Sequence, residues 1–216
     1  TAGSTQARPS ITCTCTSWEA ALWGLRGEMG LQEVRSAAQA LPEGLREHVE
    51  RVVKEVRRLA PSREIDPERA ELAAWGHDIA RALPDDGLLG KARSYCLAID
   101  PVEAAAPVLL HGPVGAAILA REFGVDDEEV LEAVRLHTTG GPAMSPLAQI
   151  VFVADKIEPG KVRADPNLGA VRALIQDSLE AAILEYLTQQ MLLAARQGWP
   201  LHPSAVAARN YLLLKG

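Results

Sequence analysis

The chain has 216 residues, of which 48% are hydrophobic and 23% charged, a balance that suits one globular domain with room for a tail. Its net charge of −6 excludes a nucleic-acid face built from clustered Lys and Arg. No apolar run approaches the roughly 18 residues that a membrane-spanning helix needs. Aromatic residues make up only 4%, while Ala, Leu, Val and Glu are abundant, so the predicted fold class is all-α.

Thr1 to Ser17 is rich in Thr, Ser, Ala and Pro and has no signal-peptide apolar region, and residues 1–40 are expected to be a partly disordered or irregular extension. Cys13, Cys15 and Cys96 are too few for a zinc ribbon and badly spaced for a local disulfide. They are read as reduced, which implies a cytoplasmic location. From Glu43 the pattern becomes regular, and 41–216 is expected to be a single domain. Leu45, Val49, Val52, Val53, Val56 and Leu59 follow a 3.6-residue period, which predicts a helix over 43–60.

Asp66 as N-cap and Pro67 in the first turn open a second helix, expected to run to Leu83 before Pro84 stops it. A third is expected over Pro113–Phe123, ended by Gly124. Asp126 with Glu129 reads as a capping box for a fourth, which ends near Thr138. Ser145-Pro146 opens Leu147–Ile157, apolar on all sides and therefore a core segment; its β-branched content suits a buried strand too, and its helical surroundings favour helix. A long helix over Asn167–Gln197, ended by Gly198, and a short one over Pro203–Leu214 complete the chain.

The histidines carry the functional information. His48 shares a face with Leu45, Val52 and Val56, and His137 follows Val130 and Val134 on the apolar side of its helix. His77-Asp78 adjoins an apolar stripe, His111 ends the run Val108-Leu109-Leu110, and Asp155 closes an all-apolar segment. Any one of these alone is best read as a hydrogen-bonded core residue. Four inward histidines and two inward aspartates together are expensive to bury without a cation. A metal pair removes that cost, and the absence of Cys from the set excludes a thiolate site.

His77-Asp78 with a histidine upstream and an aspartate far downstream resembles the signature of the HD superfamily. The longer strings Trp75-Gly76-His77-Asp78-Ile79-Ala80, Leu109-Leu110-His111-Gly112-Pro113, His137-Thr138-Thr139-Gly140 and Ala154-Asp155-Lys156-Ile157-Glu158-Pro159-Gly160 resemble the YqeK family. Members of that family are symmetrical bis(5′-nucleosyl)-tetraphosphatases, which split diadenosine tetraphosphate into two ADP. The resemblance implies an HD-domain helical bundle with a dinuclear metal site between helices. His48, His77, Asp78 and Asp155 would hold one ion, and His111 and His137 the other, with Asp78 bridging.

Iron is the metal the resemblance implies, while His/Asp ligation also accepts Mn, Co or Zn. His77, Asp78 and His111 are the expected catalytic residues, acting with the metals on a water that attacks phosphorus. Thr138, Lys156, Lys161 and Arg163 are the expected substrate contacts; Arg81 reads more readily as a surface charge, and His202 as surface. Expected partners are the dinucleoside polyphosphate and the ADP product, with no nucleic acid and no membrane, and a homodimer is compatible with the reading. The alternatives are another HD nucleotide phosphohydrolase, acting on a nucleoside monophosphate or guanosine tetraphosphate, and a nucleotide-binding sensor.

Overall fold

The computed structural model describes residues 30–215, and every regular element among them is helical. Helix α1 is Leu31–Gln39, α2 Glu43–Leu59, α3 Pro67–Gly76, α4 Asp85–Ser94, α5 Pro101–Ala105 and α6 His111–Glu122. They are followed by α7 Glu128–Leu136, α8 Pro146–Ile157, α9 Pro159–Ala164, α10 Leu168–Leu174, α11 Leu179–Gln197 and α12 Pro203–Lys215. Single 3-10 turns at Pro61–Arg63 and Pro107–Leu110 precede α3 and α6. No described helix is long and apolar enough to cross a membrane.

Helix α8 is the axis of the fold. Ser145 caps it by accepting from Ala148 N, and every residue from Leu147 to Ile157 except Gln149 is buried. It packs against α2, α3, α7, α10 and α11, so a helix apolar on all faces is covered on all faces. On α2, Val49, Val52, Val53, Val56 and Leu59 supply the matching stripe. A smaller cluster of Ala80, Leu88, Ala92, Leu110, Val114 and Ile118 seats α4 and α6 beside the main core.

The structure departs from the sequence expectations at several points, each for a local reason. Leu31–Gln39 is a helix, not irregular chain, because Val34 and Ala38 bury against α3; the rest of the expected extension, 1–29, lies outside the described residues. The fourth helix is capped by Asp127 in place of Asp126. Asp127 accepts from Glu129 N and Val130 N, and Arg69 of α3 grips its carboxylate at 2.6 and 2.8 Å. The single helix expected over 167–197 is two, because Ser178 caps a new start at Leu179 with its hydroxyl on Ala181 N.

The helix expected to reach Leu83 stops at Gly76 and continues as short turns, with Ile79 N donating to Gly76 O and Arg81 N to Asp78 O. Helices α4, α5 and α9 have no counterpart in the sequence expectations. Cys96, read as reduced, is disulfide-bonded; it is exposed in a left-handed turn (φ 57°) after α4. Cysteine usage therefore gives no support to the cytoplasmic expectation.

Two glycines set the closest helix approaches near the buried histidines. A Cβ on Gly76 would meet Leu119 of α6 at 2.6 Å, which accounts for Gly before His77 in this chain. A Cβ on Gly112 would meet the backbone oxygen of Arg135 at 2.7 Å, so α6 and α7 touch at the level of His111 and His137. Because the obstacle at Gly112 is backbone, relief requires moving a helix. Gly112→Ala is expected to lower stability by about 1–3 kcal/mol, read by thermal melting. Gly90→Ala, with nothing within 4 Å of the added atom, is the matched control and should not destabilise.

Candidate metal centre

Six side chains expected from the sequence to gather do gather. His48 comes from mid-α2, His77 and Asp78 from the end of α3, His111 from the start of α6, His137 from the end of α7 and Asp155 from α8. His77, Asp78, His111, His137 and Asp155 are all buried. Asp78 stands at the centre with its two oxygens serving different pairs. Its Oδ2 is 3.5 Å from His48 Nε2 and 3.4 Å from His77 Nε2. Its Oδ1 is 3.3 Å from His111 Nε2 and 3.5 Å from His137 Nε2. The ligating atoms thus fall into two sets that share one carboxylate: His48, His77, Asp78 and Asp78, His111, His137. Asp155 Oδ1 joins the first set 3.0 Å from His48 Nε2.

Three of the histidines are oriented by one local device. A helix end leaves carbonyls without N–H partners, and a histidine there can use the carbonyl three residues back. His77 Nδ1 donates to Ala74 O at 2.7 Å, His137 Nδ1 to Val134 O at 2.8 Å, and His111 Nδ1 to Val108 O. A carbonyl cannot donate, so the proton belongs on Nδ1 and each Nε2 presents a lone pair to the centre. His48, within a helix, uses a side chain instead: its Nδ1 donates to Glu158 Oε1 at 3.3 Å.

These tautomers test whether a metal fits. His111 Nε2 and His137 Nε2 lie 2.9 Å apart, and His48 Nε2 and His77 Nε2 lie 3.4 Å apart. Lone pairs at such separations repel unless a cation sits between them. The Thr138 hydroxyl, 3.0 Å from both His111 Nε2 and His137 Nε2, has one proton for two acceptors. Burial pushes His137 down to about 4, which keeps it the neutral donor that ligation requires. Burial opposes ionisation of Asp78, but the His77, His111 and His137 contacts outweigh it and hold the carboxyl well below its usual range. The residues fit divalent metal binding.

The cations expected to contact substrate are placed unequally. Lys156 is buried, with Nζ donating to His137 O at 2.9 Å and to Asp155 Oδ2 at 2.5 Å, which commits two of its three hydrogens. Lys161 Nζ donates to Asp155 Oδ1 and is part-exposed. Against burial, these two ammonium groups hold the Asp155 carboxyl well below its usual range. A cleft of about 230 Å³ opens over the centre, lined by Asp78, His111, His137, Thr138, Lys156 and Lys161 together with Arg81. Arg163 is exposed and does not line that cleft, whereas Arg81, read as a surface charge, does. His202 is no free surface residue either: it is 14% exposed, with Nε2 3.4 Å from Glu103 Oε1.

The sequence reading gave Glu158 no role. It is 1% exposed and N-caps α9, with one oxygen accepting from Lys161 N and His48 Nδ1 and the other from Gly160 N and Arg51 Nε. Pro159 directly after Glu158 was the available signal, since Pro at the first helical position marks a helix start and makes Glu158 its N-cap; the reach to α2 is visible only in the fold.

Comparison with known proteins agrees with this geometry. Residues 45–160 match the family described as HD domain. The chain is 34% identical over 151 residues to the symmetrical bis(5′-nucleosyl)-tetraphosphatase of Bacillus subtilis, covering 68% of this chain and 78% of that protein. It is 36% identical over 183 residues to the protein of the same name from Staphylococcus aureus, covering 82% and 91%. A crystal structure from Clostridium acetobutylicum, described as a predicted HD superfamily hydrolase involved in NAD metabolism, superposes with a TM-score of 0.83 at 30% identity, covering 88% of this chain and all of that one.

Glu158→Ala should leave the helical fold in place and weaken metal affinity about 10- to 100-fold, measured by competition with a fluorescent chelator, because His48 loses the group that fixes its tautomer. Equal affinity in the variant and the unaltered chain would show that Glu158 serves α9 alone.

Proposed function

Since the chain belongs to the HD-domain family, we infer that it hydrolyses dinucleoside tetraphosphates, and diadenosine tetraphosphate in particular, symmetrically to two ADP. The observation that carries this reading is the Asp78 carboxylate shared between two histidine sets at the floor of a cation-lined cleft. The names of the relatives supply the substrate class. His48, His77, Asp78 and Asp155 would hold one divalent ion, and Asp78, His111 and His137 a second. The thiolate-free donor set admits iron, manganese, cobalt and zinc, and family likeness favours iron. When bound, such a pair supplies Lewis acidity toward phosphoryl oxygens and a water acidic enough to attack near neutral pH.

The chain's own residues do the rest. His77, His111 and His137, locked by their carbonyl partners, hold the donor atoms at fixed separations, so little reorganisation accompanies charge build-up. Lys161 and Arg81 stand at the cleft with the positive charge to draw in and orient phosphates, and Thr138 adds a hydroxyl beside His111. Lys156 acts from below by fixing Asp155 and the end of α7. Among the described residues nothing grips a triphosphate in the manner of a glycine-rich phosphate loop. The expected products are ADP and ADP, not ATP and AMP.

Three outcomes test this reading. Anaerobically purified protein should hold two first-row ions per chain, and His111→Ala should keep one, by elemental analysis; one ion at saturation in the unaltered chain counts against the dinuclear arrangement. Diadenosine tetraphosphate turned over in ¹⁸O water should give ADP as the only nucleotide product, with one ¹⁸O in one of the two ADP molecules formed per turnover, and ATP with AMP would overturn the assignment. Asp78→Ala should lose both ions and more than tenfold in kcat, about 1.4 kcal/mol of barrier.

A further inference from the structure

Beside the phosphate cleft the fold leaves a second cavity, of about 280 Å³, between the C-terminal half of α11, the 198–202 turn and the start of α12. Its lining is mainly apolar, and it meets the metal cleft through two residues common to both, Leu109 and Thr138. Thr138 Oγ1 is 3.0 Å from the Nε2 atoms of His111 and His137, so the cavity begins at the edge of the donor cluster. We propose that this cavity docks one nucleobase of the substrate, with Trp199 as the stacking face and Gln190 as the polar contact. The proposal rests on the nucleotide reading above and extends it to the part of the substrate that the metal centre does not touch.

Three observations select a planar aromatic ligand. Trp199 is 59% exposed at the cavity mouth, in a turn that follows the left-handed Gly198, and an indole held there has a free face. Met191 lines the same cavity with a polarisable thioether suited to the edge or face of a ring. Gln190, also in the lining, makes no side-chain hydrogen bond among the described residues, so its amide is available to a base edge as both donor and acceptor. The volume sits near the lower end of small-molecule sites, roughly 300–1,000 Å³, as suits one base and its sugar and not a whole dinucleotide.

A second copy of this chain is the rival occupant, because α11 and α12 carry other exposed apolar side chains. Leu192, Leu213 and Leu214 are 53%, 49% and 88% exposed, yet none of them lines this cavity. Continuity with the metal cleft therefore favours the nucleobase.

The test uses the manganese-loaded full chain and two probes, ADP and inorganic pyrophosphate, titrated by calorimetry. Pyrophosphate reads the metal and cationic groups alone, while ADP adds the base. Trp199→Ala should weaken ADP by about tenfold or more, as loss of one stacked base does, and leave pyrophosphate within about twofold. Leu193→Asn, another exposed lining position, should shift in the same direction, which guards against a peculiarity of the Trp variant. Equal losses for both probes, or no change in either, would overturn the proposal. So would a dimer that becomes monomeric in Trp199→Ala by sedimentation, since the cavity would then belong to an interface. Hydrolysis of diadenosine tetraphosphate, measured in parallel on the unaltered chain, separates the two readings. Absent turnover with a Trp199-dependent preference for ADP sinks the assigned reaction and keeps the base site; normal turnover without that preference does the reverse.

Discussion

The arrangement depends on one buried carboxylate. Asp78 cannot be placed at the meeting point of α2, α3, α6, α7 and α8 unless positive charge comes with it, because desolvating an isolated anion is far more costly than any packing gain at that point. Four histidines from four separate segments surround it, two to each oxygen, and their neutral Nε2 donors would hold the cations that supply that charge. Their contacts with Asp78 tie together regions far apart in the chain, from His48 to Asp78 and from Asp78 to His111. The centre therefore acts as a structural tie as well as a site for chemistry. It also explains the short helix–helix approaches, since Gly76 and Gly112 let α3, α6 and α7 come close enough for the imidazoles of His77, His111 and His137 to reach one group.

Helix ends do the fine positioning. A histidine in mid-helix has no free carbonyl behind it, and His48 accordingly leans on Glu158, which Arg51 and the backbone of α9 hold in turn. His77, His111 and His137 stand where a helix or 3-10 turn has just ended and take the carbonyl three residues earlier. Burial that would be a liability for an unpaired imidazole becomes useful here, because it keeps His137 neutral and its lone pair on Nε2. The four ligands thus follow two construction rules, and the carboxylate-backed one carries a second buried acid with it.

Much of this was legible in the chain itself, and the limits are physical. Periodicity found α2 and α8 because one face, or every face, is buried, and side-chain caps at Asp66 and Ser145 marked the starts of α3 and α8. The inward histidines and aspartates were legible because polar residues in apolar register need a reason. Helix α1 escaped because its two buried positions, Val34 and Ala38, are too few to stand out from polar neighbours. The stop after Gly76 escaped because propensity alone favours continuing to Leu83; in the fold the His77 ring takes Ala74 O, three residues back, where the helix ends. Glu158 escaped because its role exists only once α2 and α9 are side by side.

The cationic residues show why charge in a sequence does not specify function. Lys156, Lys161 and Arg163 lie close together in the chain and look alike as a basic segment. In the fold, Lys156 is committed to Asp155 and the end of α7, Lys161 stands half in the cleft, and Arg163 lies outside it. Arg81, on another segment, takes the place beside them. Lys161 and Arg163 differ by their phase in α9, the helix that Glu158 caps, whereas Lys156 belongs to the buried α8. One buried carboxylate at the base of α9 therefore sets both the tautomer of His48 and the placement of Lys161. A disturbance at Glu158 reaches His48 through its Nδ1 and Lys161 through its backbone N–H together.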